Sequence, residues 1–185
     1  MINWQIKRAV SVLRQGGIIA YPTESVYGLG CDPFNEAAVK KLLHIKKRAI
    51  SKGLIIISSD FEKLRDLLQP VPPDIMQRLN RTWPGPVTWL LPAHETVPIY
   101  LTGNHHTLAV RVSDHPIVKQ LCLAFNGPIV STSANIAGHP PLRHHLLCRR
   151  NFANQVNYIM TGQVGHAKKP TEIRDGLTGR ITRPG

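Results

Sequence analysis

The 185-residue chain is poor in cysteine, in aromatic residues and in acid. Cys31, Cys122 and Cys148 are odd in number and far apart, so they form neither a disulfide framework nor a metal-type spacing. A reducing cytoplasm is the compartment that such cysteine usage fits. Nine histidines are scattered without a helical i, i+4 pair or a clustered set of carboxylates, so no metal ligands are expected among the side chains. Aromatics make up only 6%, too few for a base-stacking platform of the single-strand-binding kind. No apolar run approaches the ~20 residues of a membrane span. The start, Met1-Ile2-Asn3-Trp4, turns amphipathic at once and lacks the layout of a signal peptide. The phosphate loops GxxxxGKS/T and GxGxxG are missing, and so is a GxSxG nucleophile elbow. Against 11 acidic residues stand 23 Lys and Arg, a net charge of +12, which favours polyanionic partners such as nucleic acid or nucleotide phosphates.

What is there alternates between helix and strand patterns. Trp4 to Gln15 places Ile6, Val10 and Leu13 on one face behind an Asn3 cap, and Gly16-Gly17 ends it. Ile18 to Tyr21 reads as a short strand running into a loop, Pro22 to Gly30. Asn35-Glu36 opens a second helix that exits into Lys46-Lys47-Arg48. Gly53 to Ile57 is a continuous apolar run, consistent with a strand buried on both faces. A third helix is predicted over Asp60 to Leu68, and a fourth, short one over Asp74 to Leu79. Strands follow at Val87 to Leu91 and Thr107 to Val112. A helix starts at Asp114-His115-Pro116, with proline near the first turn. Pro141 to Ala153 is weakly helical, and late strands fall at Asn157 to Met160 and Gly179 to Thr182. With no repeat and no low-complexity linker, residues 1–185 read as one α/β domain with a twisted, mixed sheet.

Five stretches could carry chemistry. Pro128-Ile129-Val130 is a buried strand that opens into a loop, Ser131-Thr132-Ser133-Ala134-Asn135. Strand ends of this kind hold ligands in open α/β sheets, and small hydroxyl and amide groups bind polar ligands close to the backbone. The same residues also suit a turn or a helix cap. Lys46, Arg48 and Lys52 precede a buried strand, where they could clamp phosphate or complement a helix C-terminus. Arg111 lies inside the apolar run Leu108 to Val112; it either sits on a solvated face or faces inward and needs an anion. Thr23-Glu24-Ser25 follows a buried strand. Pro170 to Asp175 is a proline-led polar run, readable as a surface turn.

Taken in order, Tyr21-Pro22-Thr23-Glu24-Ser25-Val26-Tyr27-Gly28-Leu29-Gly30, Lys46-x-Arg48, Ala109-Val110-Arg111, Ser133-Ala134-Asn135 and Pro170-Thr171-Glu172-Ile173-Arg174-Asp175 resemble the YrdC/TsaC family of threonylcarbamoyl-AMP synthases. The resemblance spans essentially the whole chain and is to the short bacterial type. It implies a YrdC-like open sheet whose concave face forms a basic cavity. It also implies a nucleotidyltransferase: L-threonine, bicarbonate and ATP give threonylcarbamoyl-AMP and pyrophosphate, for a partner complex that modifies tRNA beside the anticodon.

On that resemblance Lys46 and Arg48 are the catalytic cations. Arg48, Lys52, Thr107, Ser133, Asn135 and Arg183 hold ATP with Mg²⁺, and Thr23, Ser25, Arg111, Ser131 and Thr171 line the threonine pocket. This chain departs from the family pattern in three places. The usual Lys-Gly-Arg-Pro is Lys46-Lys47-Arg48-Ala49. A histidine in the strand that follows is replaced within Gly53-Leu54-Ile55-Ile56-Ile57. Ser131 stands where alanine is common. A non-catalytic binder of double-stranded RNA, tRNA or rRNA is the rival reading of the charge, and its affinity would fall steeply with salt. A carbamoyl-transfer domain of the hydrogenase-maturation type is a third.

Overall fold

A computed structural model describes residues 3–167 and 171–185. Pro170, which leads the last sequence motif, lies outside the described residues, as do Met1 and Ile2. The helices are α1 (Trp4–Arg14), α2 (Glu36–Lys46), α3 (Glu62–Arg65), α4 (Pro73–Asn80), α5 (Ile99–Thr102), α6 (Pro116–Phe125) and α7 (His145–Phe152). The strands are β1 (Ile19–Pro22), β2 (Tyr27–Gly30), β3 (Ile55–Ser58), β4 (Val87–Pro92), β5 (Thr107–Val112), β6 (Ile129–Ser133), β7 (Tyr158–Ile159), β8 (Glu172–Asp175) and β9 (Ile181–Arg183). They form one mixed sheet in the order β7-β1-β2-β6-β3-β5-β4-β8-β9.

Side-chain alternation along the strands sorts residues between two layers. Ile18, Ala20, Leu29, Val130, Ile56, Leu108, Val110 and Trp89 enter one core with Val39, Leu42 and Leu43 of α2 and Leu79 of α4. Ile19, Tyr21, Ile57 and Ile129 point the other way, under Ile6, Val10 and Leu13 of α1 and Val118 and Leu121 of α6. Both layers are apolar only where a helix covers them. In the middle of the sheet the second face stays open, and Arg111, Ser131 and Ser133 line the cavity there.

Several expected elements take another form. The Pro22–Gly30 segment is not a loop throughout: its second half is β2, antiparallel to both β1 and β6. Its Tyr-Gly-Leu-Gly sequence hides the strand, because glycine normally weakens one. Here the sheet needs it, since a Cβ on Gly30 would lie 2.5 Å from the Val130 carbonyl oxygen. The expected third helix is a single turn whose N-cap is Phe61 and not Asp60, although Asp60 Oδ1 still accepts from the Lys63 N–H at 3.1 Å. The chain then turns to the sheet, where Leu68 bridges to Ala93. The Ser131 stretch is strand as far as Ser133, because β2 and β3 pair with it on either side. Residues 172–175 are strand β8 beside β4, not a surface turn.

Lys47 is the C-cap of α2 and stands in the left-handed region at φ 50°, ψ 44°. Glycine adopts this conformation without the clash that an L side chain meets. Lys47→Gly is expected to stabilise the fold by about 1 kcal/mol, the cost of left-handed backbone for an L residue. A denaturant midpoint that stays put or falls would refute this account of the cap.

Candidate active site

The strand registers assemble the site. Ser131 pairs with Ile55, Ser133 with Gly28, Ala109 with Ile55 and Arg111 with Ile57. All these positions present side chains to the same face of the sheet. Gly28 contributes space: a Cβ there would meet Thr23 Cγ2 at 3.3 Å and Ser131 Oγ at 3.5 Å. The result is an open-mouthed cavity of about 870 Å³ whose polar lining is Thr23, Ser25, Arg48, Arg111, Ser131, Thr132, Ser133, Thr171 and Arg183. A second cavity of about 540 Å³ adjoins it across Arg48, Leu54, Ile55 and Arg183, and carries Lys52, His105 and Thr107. Ten of the twelve expected site residues therefore lie on these two connected walls. They come from chain positions as far apart as Thr23 and Arg183.

The cations are held differently. Arg48 donates from Nη2 to the Gly53 and Lys52 carbonyls at 3.0 and 3.2 Å, and from Nε to Gly53 O at 3.3 Å. Gly53 supplies that carbonyl from a backbone at φ 59°, where a Cβ would also meet Thr102 O at 2.7 Å. Arg183 donates from Nη2 to Thr171 O at 2.8 Å. Burial, followed by the charges of Arg111 and Arg48, holds the Arg183 guanidinium below the usual arginine range. Burial does the same to Arg48. The Arg183 guanidinium thus feels two other positive charges beside the cavity, an arrangement that an anion relieves.

Lys46 and Asn135 are the two expected residues that line neither cavity. The Lys46 ammonium is buried, and it donates to the carbonyl of Ser133, to the carbonyl of Asn135 at 2.8 Å and to Asn135 Oδ1 at 3.3 Å. Asn135 Oδ1 also accepts from Ser133 Oγ at 2.6 Å, and Asn135 Nδ2 donates to His139 O at 2.7 Å. This network ties the end of α2 to the turn after β6. Burial and the neighbouring Arg48 charge lower the Lys46 pKa to about 8. The sequence expectation that Ser133 and Asn135 point together into a ligand does not describe this arrangement. Ser133 lines the cavity, whereas Asn135 closes its own loop, because β6 ends between them.

Arg111 faces inward and is 4% exposed. Its Nη1 donates to Thr171 Oγ1 at 2.9 Å, and its Nη2 lies 3.3 Å from Glu24 Oε2. The anion that a buried cation requires is thus already present within the chain. Sequence reasoning quoted Glu24 only as part of a motif. The signal that could have singled it out is a carboxylate directly after a buried strand in an acid-poor chain. Ile57 pairs with Arg111 and is wholly buried under α1 and α6. No cluster of three or more His, Cys, Asp or Glu suited to a metal ion occurs among the described residues.

The Sua5/YciO/YrdC family model, described as "Telomere recombination", matches residues 11–185. A threonylcarbamoyl-AMP synthase of Coxiella burnetii is 51% identical over 178 residues, covering 96% of each chain. A protein of the same name from Nitrosococcus oceani is 50% identical over 98% of each. The crystal structure of P. abyssi Sua5 complexed with L-threonine superposes with a TM-score of 0.88 at 35% identity, over 93% of this chain and 51% of that one. This chain therefore spans about half the length of that neighbour. The nine-stranded topology, the cavity on its open face and these matches agree: the chain belongs to the Sua5/YciO/YrdC family.

Proposed function

We propose that the protein is a threonylcarbamoyl-AMP synthase, a nucleotidyltransferase that converts L-threonine, bicarbonate and ATP into threonylcarbamoyl-AMP and pyrophosphate. The observation that carries this reading is the juxtaposition on one wall of a small hydroxyl-lined pocket around Arg111 with the Arg48–Arg183 cation pair. Thr23, Ser25, Ser131 and Thr171 shape the pocket for a small hydroxy amino acid whose carboxylate takes the Arg111 fork. The threonine nitrogen and bicarbonate condense to a carbamate with loss of water. A carbamate oxygen then attacks the α-phosphorus of ATP, and pyrophosphate leaves with the bond electrons. Negative charge grows on phosphoryl oxygens in that step, so the protein contributes by positioning and by cationic stabilisation. Arg48, Lys52 and Arg183 supply the cations, Thr107 and Ser133 supply hydroxyls, and Lys46 and Asn135 set the loop that carries Ser133. Mg²⁺ enters with the triphosphate of ATP as part of the substrate, since the cavity walls offer hydroxyls and guanidinium groups and no carboxylate.

We read residues 1–185 as a single domain acting in the cytoplasm, upstream of a complex that passes the threonylcarbamoyl group to tRNA. No helix among the described residues is long and apolar enough to cross a membrane. The net charge of +12 also suits direct contact with RNA, which falls off with salt. The decisive test is mass spectrometry of the product from ATP, L-threonine and bicarbonate. Threonylcarbamoyl-AMP that depends on all three substrates supports the assignment, and ATP turnover without that adduct overturns it.

Ser133 and Asn135 separate binding from scaffolding. Ser133→Ala is expected to weaken ATP binding by about 1.5–3 kcal/mol, the worth of a hydrogen bond to a charged group. Its melting temperature should fall less than that of Asn135→Ala, because Ser133 Oγ makes one bond of the loop network and Asn135 makes several. Asn135→Ala removes an acceptor of the buried Lys46 ammonium, so the ligand-free melting temperature should fall first. Calorimetric ATP titrations and melting curves on the same two variants check this, and the reverse pattern contradicts the assignment.

A further inference from the structure

We infer that Glu24 is a positioning residue: it holds the Arg111 guanidinium in place and, through it, the carboxylate of the amino-acid substrate. The inference rests on the reading of the cavity as a threonine site.

Glu24 does not line that cavity. Its side chain lies behind Arg111, on the wall of a separate space of about 700 Å³ that it shares with Asp114, His115 and His166. It is therefore placed to act on Arg111 rather than on a ligand. Both charges are nearly shielded, at 5% exposure for Glu24 and 4% for Arg111. A buried ion pair gains little stability over packed apolar side chains, so stability alone does not account for the two charges.

The carboxylate is fixed from both ends. At its root, the Thr23 and Glu24 carbonyls accept from the Gly165 and Ala167 N–H groups at 2.9 and 3.1 Å. At its tip, Oε1 accepts from Ser113 Oγ at 2.6 Å, and that hydroxyl in turn accepts from the His115 N–H at 3.2 Å. Among the described residues Oε2 has no hydrogen-bond partner, and it faces Arg111 Nη2 as an ion pair. Thr171 holds the other amino group of the guanidinium. Two anchors on the two amino groups define the plane of the fork before any ligand arrives. Restricting a long side chain in advance removes an ordering cost that binding would otherwise carry.

A counter-charge alone would act in the opposite direction. Glu24 offsets the positive potential of Arg111, so by Coulomb attraction its loss would tighten the grip on an incoming carboxylate. The sign of the effect therefore separates positioning from charge neutralisation.

Glu24→Gln keeps the size and an acceptor for Ser113 but removes the charge. Calorimetry should be run with L-threonine and, separately, with ATP on the wild type, Glu24→Gln, Arg111→Lys and the double variant, alongside melting curves. For Glu24→Gln the expected result is a threonine Kd about tenfold weaker, with ATP affinity within about twofold of wild type. The double variant should be no weaker for threonine than Arg111→Lys, because both changes act on one guanidinium. Threonine affinity that is unchanged or tighter in folded Glu24→Gln, or additive losses in the double variant, would overturn the inference. Should Glu24→Gln not fold, Ser113→Ala releases the tip of the carboxylate while leaving its charge. Weaker threonine binding with ATP binding preserved then supports the inference, and intact threonine binding overturns it. Wild-type protein that does not bind threonine removes the functional reading and this inference together. Wild-type binding with an indifferent Glu24→Gln removes the inference alone.

Discussion

Arg48→Ala is expected to lower turnover by about 2–4 kcal/mol of transition-state stabilisation, roughly thirty- to a thousandfold, by analogy with the loss of one preorganised electrostatic donor. Arg48 lines both cavities, on the wall that they share. Its bonds to the chain come from Nε and Nη2 and end on carbonyls of residues 52 and 53, so the guanidinium is oriented without being neutralised. Burial already makes its charge costly. A triphosphate relieves that cost most where negative charge is greatest, in the transition state. The loss should thus fall on kcat more than on the KM for ATP. Lys46→Ala is expected to lower turnover by a different route, since its ammonium grips the Ser133–Asn135 turn and not the cavity. Its melting temperature should fall together with its rate, whereas that of Arg48→Ala should hold. Steady-state turnover of Arg48→Ala near wild type would remove the basic loop from the mechanism.

The second large effect is expected at Arg111. Arg111→Lys should raise the KM for threonine by roughly ten- to a hundredfold, the worth of about 1.5–3 kcal/mol for a charge-assisted hydrogen bond. The KM for ATP should stay close to wild type. Lysine retains the positive charge beside Glu24, and that is the reason to prefer it to alanine. Removing one partner of a buried ion pair costs about 3–5 kcal/mol and would confuse unfolding with lost binding. What lysine cannot reproduce is the planar fork that spans Thr171, Glu24 and a ligand carboxylate at once. Equal changes in both KM values would show that Arg111 serves phosphate or scaffold and not the amino acid.

Much of this site was legible in the chain before any coordinates. Hydrophobic periodicity located α1 and α2, and apolar or β-rich runs located strands β3, β4 and β5. The caps Asn3 and Asn35 and the proline at the start of α6 mark element starts by local chemistry alone. Strand β2 was not legible. Two glycines in Tyr-Gly-Leu-Gly argue against a strand locally, and Gly30 answers to a neighbour 100 residues away, the Val130 carbonyl. The true extent of β6 was hidden for a related reason. Serine and threonine favour turns in isolation, and only pairing on both sides by β2 and β3 holds them extended.

The motifs by themselves indicated the family and nominated the candidate site residues, since short-range patterns and their order survive without a fold. Their division of labour was decided by the tertiary structure. Lys46 and Arg48 are two positions apart in sequence, yet one ammonium turns onto the chain's own carbonyls and the other cation lines the cavity. Ser133 and Asn135 are equally close, yet the strand ends between them and only Ser133 lines the cavity. Arg111 announces a need for an anion, but that the anion is Glu24, 87 residues earlier, follows from sheet order alone. Spacing along a chain records which groups travel together. The direction in which each group points, and the partner that satisfies its charge, depend on strand register and on contacts between segments that share no local sequence.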